Sequence, residues 1–170
     1  MPSVLSIVGW HNAGKTTLCV RLVEALKARG LRVAVIKHSV AGFEMDRPGT
    51  DTSKFAEAGA DVVIISSRTG LAWIERPPAE LSLDEIIARI PPDIDLVIVE
   101  GFKREPTRKI EVIRTEMGTE PIARPGELLA IVSDGAALND QRPAPRFGTG
   151  DIDGLVALLI EQGLIPQRQR

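Results

Sequence analysis

The sequence predicts an α/β fold, a doubly wound, mostly parallel sheet with helices on both faces, and three observations predict it. A short apolar run at residues 4–8 ends at Gly9, and a helical pattern follows at once. A second apolar run at residues 31–37 follows that helix, so the first 37 residues make a β-loop-α-β unit with parallel strands. Further apolar runs alternate with helical patterns, which is typical of a doubly wound sheet that binds its ligands at the carboxyl ends of the strands.

The first helix is predicted from Lys15, because Leu18, Leu22 and Leu26 recur at helical spacing before Gly30. After the second strand, residues 38–51 hold too many glycines and prolines for a regular element, so we interpret them as a functional loop. A switch or substrate loop carries mixed charges such as those found here, although a plain solvated loop would look the same. The charged residues are Glu44, Asp46, Arg47 and Asp51.

The remaining elements are predicted from apolar runs and helix caps. We expect a short helix at 52–58, a buried strand at 61–66 and a hairpin or edge strand at 71–75. Ser82 and Glu85 form a capping box, which predicts a helix to about residue 90. Strands are predicted at 94–99, 109–114 and 128–132, and a last helix at 151–162.

The length and composition of the chain limit the classes of function that it can have. The 170 residues fit one nucleotide-binding domain over residues 1–166 with a polar tail at 167–170. A net charge of -2 gives no general attraction to nucleic acid or to a membrane surface, and no apolar run reaches the roughly 18 residues of a span. The N-terminus has no secretory pattern, which predicts a cytoplasmic protein. One cysteine and two histidines are too few for a structural zinc site, so we expect any metal to be held by oxygen.

A phosphate-binding loop is the strongest motif in the chain. The stretch Gly9-Trp10-His11-Asn12-Ala13-Gly14-Lys15-Thr16 matches G-x-x-x-x-G-K-[ST] between a predicted strand and a predicted helix. Backbone N–H groups and the helix N-terminus would cradle phosphates there, with Lys15 on the β- and γ-phosphates and the Thr16 hydroxyl on Mg²⁺. The predicted nucleotide-binding residues of this loop are Gly9, His11, Asn12, Ala13, Gly14, Lys15, Thr16 and Thr17.

A second group of candidates stands at the carboxyl ends of neighbouring strands. Glu100 ends the most strand-like run, so we expect it to act with Lys15 in catalysis and with Thr16 in holding Mg²⁺. Gly101 is expected to donate its N–H near the γ-phosphate. Lys37 and His38 end the second strand, and either could face phosphate or substrate. A solvated strand-end carboxylate and a surface histidine are the plainer alternatives for Glu100 and His38.

The chain resembles a known family, the molybdopterin-guanine dinucleotide biosynthesis protein B (MobB) proteins. The resemblance rests on residues 9–18 (GWHNAGKTTL), Ile36-Lys37-His38, residues 42–52 (GFEMDRPGTDT) with 58–60 after them, and Val99-Glu100-Gly101-Phe102-Lys103. It implies a homodimeric GTP-binding protein with weak GTPase activity at most. Such a protein assists the molybdenum cofactor guanylyltransferase that attaches GMP to molybdopterin.

Guanine recognition has no N-K-x-D motif to rest on in this chain. Asp134 follows the strand at 128–132, and its carboxylate is the candidate that would accept from the guanine N1–H and 2-amino group. A turn aspartate before Gly135 is the plainer interpretation.

Two other functions share a phosphate loop. An ATP-dependent ligase or kinase of the dethiobiotin synthetase type also uses a lysine after the second strand and a V-E-G strand end. A metal-delivery GTPase for nickel enzymes fits less well, because such proteins carry more histidine and cysteine ligands than this chain has.

Overall fold

The computed structural model describes residues 2–39, 42–43, 47–114, 120–135 and 142–167. Glu44 and Asp46 of the predicted functional loop, and residues 168–170 of the predicted tail, lie outside these ranges. The described elements, in chain order, are β1 (Ser3–Gly9), α1 (Lys15–Ala28), β2 (Val33–Lys37), α2 (Asp51–Glu57), β3 (Val62–Ser66), β4 (Leu71–Glu75), α3 (Leu83–Ile87), β5 (Leu96–Glu100), β6 (Arg108–Ile113), β7 (Leu128–Ser133), β8 (Arg146–Gly148) and α4 (Ile152–Glu161).

The chain divides into two compact units, residues 1–38 with 87–170, and residues 39–86. The sequence did not single out the second unit, because no linker or change of composition marks it. One nucleotide-binding domain over residues 1–166 stays a prediction.

The first unit is built on a six-stranded sheet in the order β2-β5-β1-β6-β7-β8, and every adjacent pair is parallel. This confirms the predicted fold class. Parallel strands bring the carboxyl ends of β1, β2, β5, β6 and β7 to one edge of the sheet. The sequence missed β8, whose three residues are too few to show a periodicity.

The apolar core lies between the sheet and the two long helices. Leu5 and Ile98 from the central strands pack with Leu22 of α1 and Leu159 of α4, and all four side chains are fully buried. Both helices therefore cover the same face of the sheet. Burial of this kind contributes about 1.5 to 3 kcal/mol for each large side chain.

Charged side chains lie on the opposite face of β6. Because side chains alternate along a strand, Lys109 and Glu111 point away from the face that Ile110 presents to the core. Both are almost completely buried. Lys109 donates to the backbone carbonyl of Glu105 and, at 2.7 Å, to the carboxylate of Glu127. This hydrogen bond holds the pKa of Glu127 below its ordinary value.

The second unit contains α2 and an antiparallel hairpin of β3 and β4. The sequence predicted a hairpin or edge strand at 71–75, and β4 confirms it. The prediction that residues 61–66 are buried is wrong, because Val63 is the only buried residue of β3. A β-branched apolar run fits a buried strand and an exposed hairpin equally well, so sequence alone did not separate them. The capping box is confirmed, since Ser82 Oγ accepts from the Glu85 N–H and the Glu85 carboxylate accepts from the Ser82 N–H.

Candidate functional site

The loop between β1 and α1 has the predicted strand–loop–helix setting. Gly9 ends β1 so close to β6 that a β-carbon would lie 2.5 Å from the Val112 carbonyl oxygen. Gly14 is the N-cap of α1 and has a left-handed φ of 96°, as Asn12 does with 60°. Because Gly14 has no side chain to cap the helix, the first N–H groups of α1 are left for an anion.

Lys15 opens α1 and turns back across the loop. Its Nζ donates to the Trp10 carbonyl oxygen at 2.7 Å. Burial lowers the pKa of Lys15, and the charge of Lys103 lowers it further, whereas Glu100 acts in the opposite direction. Lys15 therefore has an unfavourable positive charge that an anion bound to the loop would stabilise.

Thr16 and Glu100 meet at the carboxyl edge of the sheet. The Thr16 hydroxyl lies 3.0 Å from both carboxylate oxygens of Glu100, and Lys37 Nζ lies 3.4 Å from one of them. The strand register explains the meeting, because Glu100 is paired with Ile7 of β1 on one side and with Lys37 of β2 on the other. Glu100 is only 8% exposed, so its carboxylate needs these partners.

The donor set at this point fits a magnesium ion. Mg²⁺ prefers oxygen ligands and is commonly held by one or two protein oxygens together with substrate phosphates. Thr16 and Glu100 would provide such oxygens. Among the described residues, no group of three or more His, Cys, Asp or Glu side chains forms a cage for a different metal.

The turn after Glu100 is tightly constrained. A β-carbon on Gly101, whose φ is 108°, would lie 2.9 Å from Cβ of His38, so only glycine fits there without a shift. Phe102 also has a left-handed φ, of 45°, and its ring contacts the His38 ring in a tilted arrangement, with centroids 4.5 Å apart and an interplanar angle of 37°. Non-glycine residues in this conformation are commonly found at functional sites.

The other predicted residues fall into two places. Gly9, His11, Asn12, Ala13 and Thr17 lie in the phosphate loop or the first turn of α1, with Ala13 buried and His11 exposed. Asp134 follows β7 instead, and β6 separates that strand from β1. The structure thus brings Lys15, Thr16, Lys37, Glu100 and Gly101 together, and leaves Asp134 further along the same edge.

The sequence reasoning gave no role to three residues around the loop. Lys103 Nζ lies 5.4 Å from the centre of the Trp10 ring, and Trp10 Nε1 donates to the Glu120 carbonyl at 3.1 Å. Arg114 follows β6 and lies against Gly14. Lys103 lies within the V-E-G-F-K motif, which could have drawn attention to it. Arg114 lies in no motif, and only the strand order places it near the loop.

Comparison with known proteins identifies the family. The model of the family MobB, described as molybdopterin guanine dinucleotide synthesis protein B, matches residues 4–134. The chain belongs to the MobB family. Family membership associates it with the biosynthesis of molybdopterin-guanine dinucleotide, as the resemblance predicted.

Relatives and solved structures agree with this family. The chain is 38% identical to the molybdopterin-guanine dinucleotide biosynthesis adapter protein of Haemophilus influenzae over 82% of its own length and 78% of the relative's. The Escherichia coli adapter protein of the same description is 33% identical, and the match covers 95% of this chain and 93% of the relative. A crystal structure of molybdopterin-guanine biosynthesis protein B (MobB) superimposes with a TM-score of 0.71 at 31% identity, covering 94% of this chain and 99% of that one.

A more distant structure supports the fold. Bacillus subtilis MobB has a TM-score of 0.73 at 24% identity, with 98% of this chain and 99% of that chain covered.

No helix within the described ranges is long and apolar enough to cross a membrane.

Proposed function

We propose that this MobB-family chain binds GTP with Mg²⁺ in its phosphate loop and acts as an accessory protein to a molybdenum cofactor guanylyltransferase. The convergence of Lys15, Thr16 and Glu100 at the N-terminus of α1 carries the proposal. It combines a cation for phosphates, a hydroxyl and carboxylate for a metal, and free backbone donors. Mg²⁺, when bound, would neutralise charge on the terminal phosphates.

The chain's own residues hold and orient the nucleotide in this proposal. Lys15 would exchange the Trp10 carbonyl for phosphate oxygens, and Lys37 would add charge from the β2 side. Glu100 would hold the metal, with its position set by Gly101 and by its strand partners. Asp134 is the proposed reader of guanine.

An accessory role is favoured over the ligase or kinase of the dethiobiotin synthetase type by two observations. The curated relatives are described as adapter proteins. In addition, no described side chain of the site is an evident nucleophile, and Cys19 is buried with its pKa raised to about 12, chiefly by that burial. We therefore propose that any GTPase activity of the chain alone is slow, below about 1 s⁻¹.

A homodimer is proposed on the surface of the β3–β4 hairpin. The register pairs Ile64 with Trp73, and on the same face lie Val62 and Leu71. All four side chains are more than a third exposed. A two-stranded hairpin is marginal alone, and a contiguous apolar face of this kind commonly marks a protein interface. We propose further that the protein works in the cytoplasm with molybdopterin as the partner substrate, and without nucleic acid or membrane.

Reconstitution with purified components tests the accessory role. GTP, Mg²⁺, molybdopterin and the guanylyltransferase are incubated with and without this protein, and the dinucleotide cofactor is measured. We expect the protein to increase the yield and Lys15→Ala to remove the increase. Lys54→Ala removes the same charge in the other unit and should retain it. An increase that Lys15→Ala fully retains, or GMP transfer by this protein alone, would contradict the proposal.

A further inference from the structure

Arg114 lies between the phosphate loop and the candidate base reader. It follows β6, the strand between β1 and β7. Its Nη2 would be 3.3 Å from a β-carbon on Gly14, and its Nε lies 3.8 Å from Oδ2 of Asp134. The buried Nε has no hydrogen-bond partner in the described part of the chain. Both side chains are nevertheless open to a ligand, with 43% of Arg114 and 46% of Asp134 exposed.

The strand order fixes the direction in which a bound nucleotide would run. The proposed metal ligand Glu100 and the lysine Lys37 lie on β5 and β2, to one side of β1. Terminal phosphates would therefore point to that side. The nucleoside must then extend to the other side of β1, across the ends of β6 and β7, where Arg114 and Asp134 follow the strands.

The two side chains match the hydrogen-bonding edge of guanine. Guanine presents an acceptor at O6, next to donors at N1 and at the 2-amino group, whereas adenine presents a donor at its 6-amino group and an acceptor at N1. A guanidinium beside a carboxylate offers the complementary order of donors and acceptors. Against adenine the same pair would place donor against donor and acceptor against acceptor.

We propose that Arg114 is a specificity-determining residue that donates to guanine O6 while Asp134 accepts from N1 and the 2-amino group. This inference rests on the proposed GTP-binding function. The guanidinium lies close to Gly14, which belongs to the loop proposed to bind the phosphates. Arg114 is therefore placed to contact the base while the phosphates of the same nucleotide occupy the loop.

Titration of GTP, ITP and ATP, each with Mg²⁺, separates the two contacts. ITP lacks only the 2-amino group, so the GTP-to-ITP ratio of affinities reports on that group, and the ITP-to-ATP ratio reports on O6 and N1. Arg114→Met should lower the ITP-to-ATP ratio by about 10- to 100-fold, because a hydrogen bond from a charged donor is lost. It should leave the GTP-to-ITP ratio within about threefold, since Asp134 remains.

Variants and controls complete the test. Asp134→Asn should lower the GTP-to-ITP ratio, and Arg114→Lys, which keeps the charge, should restore part of the ITP-to-ATP ratio if Arg114→Met folds poorly. Arg108→Met is the matched control, because Arg108 begins the same strand at the opposite edge and pairs with Gln162 there. It should change neither ratio.

Three results would overturn the inference while leaving GTP binding intact. Unchanged ratios in Arg114→Met would show that O6 is read elsewhere. An equal loss for all three nucleotides would make Arg114 a phosphate or ribose ligand. Collapse of the GTP-to-ITP ratio would show that Arg114 only positions Asp134. If the wild-type protein binds none of the nucleotides, the proposed function itself fails, and the inference with it.

Discussion

At the residue scale, the sequence predicted which residues meet at the N-terminus of α1, but not all of their neighbours. Lys15, Thr16 and Glu100 could be singled out because the roles proposed for them require a fixed motif spacing or a position at a strand end. The charged residues around Lys15 come from segments far away in sequence. The lowering of the Lys15 pKa by Lys103 therefore could not be predicted before the fold was known.

Lys15 should titrate below the 10.5 of an ordinary lysine, because burial and Lys103 both lower its pKa. Lys103→Gln removes one cause and should move the pKa of Lys15 upward, whereas Lys54→Gln in the other unit should leave it unchanged. NMR titration of ¹³C-labelled lysine side chains measures both shifts. A Lys15 that titrates at or above 10.5 in the wild-type protein would contradict this account.

At the element scale, the strand pattern predicted β6 but not the environment of its charged residues. The run Lys109-Ile110-Glu111-Val112 alternates charged and apolar residues, which is typical of a strand with one face in water. The structure instead buries Glu111, which accepts from the N–H groups of Ile122 and Ala123 and from Arg142 at 2.6 Å. These partners come from segments that are distant in sequence, so the local pattern of β6 does not predict them.

Glu111→Ala should therefore destabilise the protein by about 3 kcal/mol, because it removes the buried carboxylate that accepts from the Arg142 guanidinium and from two backbone N–H groups. Urea unfolding followed by circular dichroism measures the change in the free energy of unfolding. Glu120→Ala, an exposed carboxylate near the same segment, should change it by less than about 0.5 kcal/mol. Equal effects of the two substitutions would show that the buried cluster contributes little.

At the scale of the whole molecule, the sequence predicted the parallel sheet but not the division into two units. The alternation of strands and helices fixes the class, whereas the hairpin of residues 62–75 sits inside that alternation without a linker. Residues 61–66 of the hairpin were predicted to be buried, because a sequence shows the hydrophobicity of a residue but not its exposure.

Ile64→Lys should weaken the proposed homodimer by at least tenfold, because it places a charge in the centre of the exposed hairpin face. Val20→Lys is the matched control, since Val20 is 51% exposed on α1 and Ile64 is 49% exposed. Light scattering coupled to size-exclusion chromatography gives the mass of each variant across a concentration series. A wild-type protein that stays monomeric, or an Ile64→Lys dimer of unchanged affinity, would refute the hairpin interface.

Calorimetric titration of the wild-type protein and Lys15→Ala with Mg·GTP and with Mg·ATP tests the central claim most directly. We predict that the wild-type protein binds GTP at least about tenfold more tightly than ATP, which corresponds to one buried donor left unpaired by the wrong base. Lys15→Ala should lose triphosphate binding while its circular dichroism stays native, because the Lys15 side chain contacts the loop and not the apolar core. Equal affinity for the two nucleotides, or GTP binding that survives Lys15→Ala, would contradict the account.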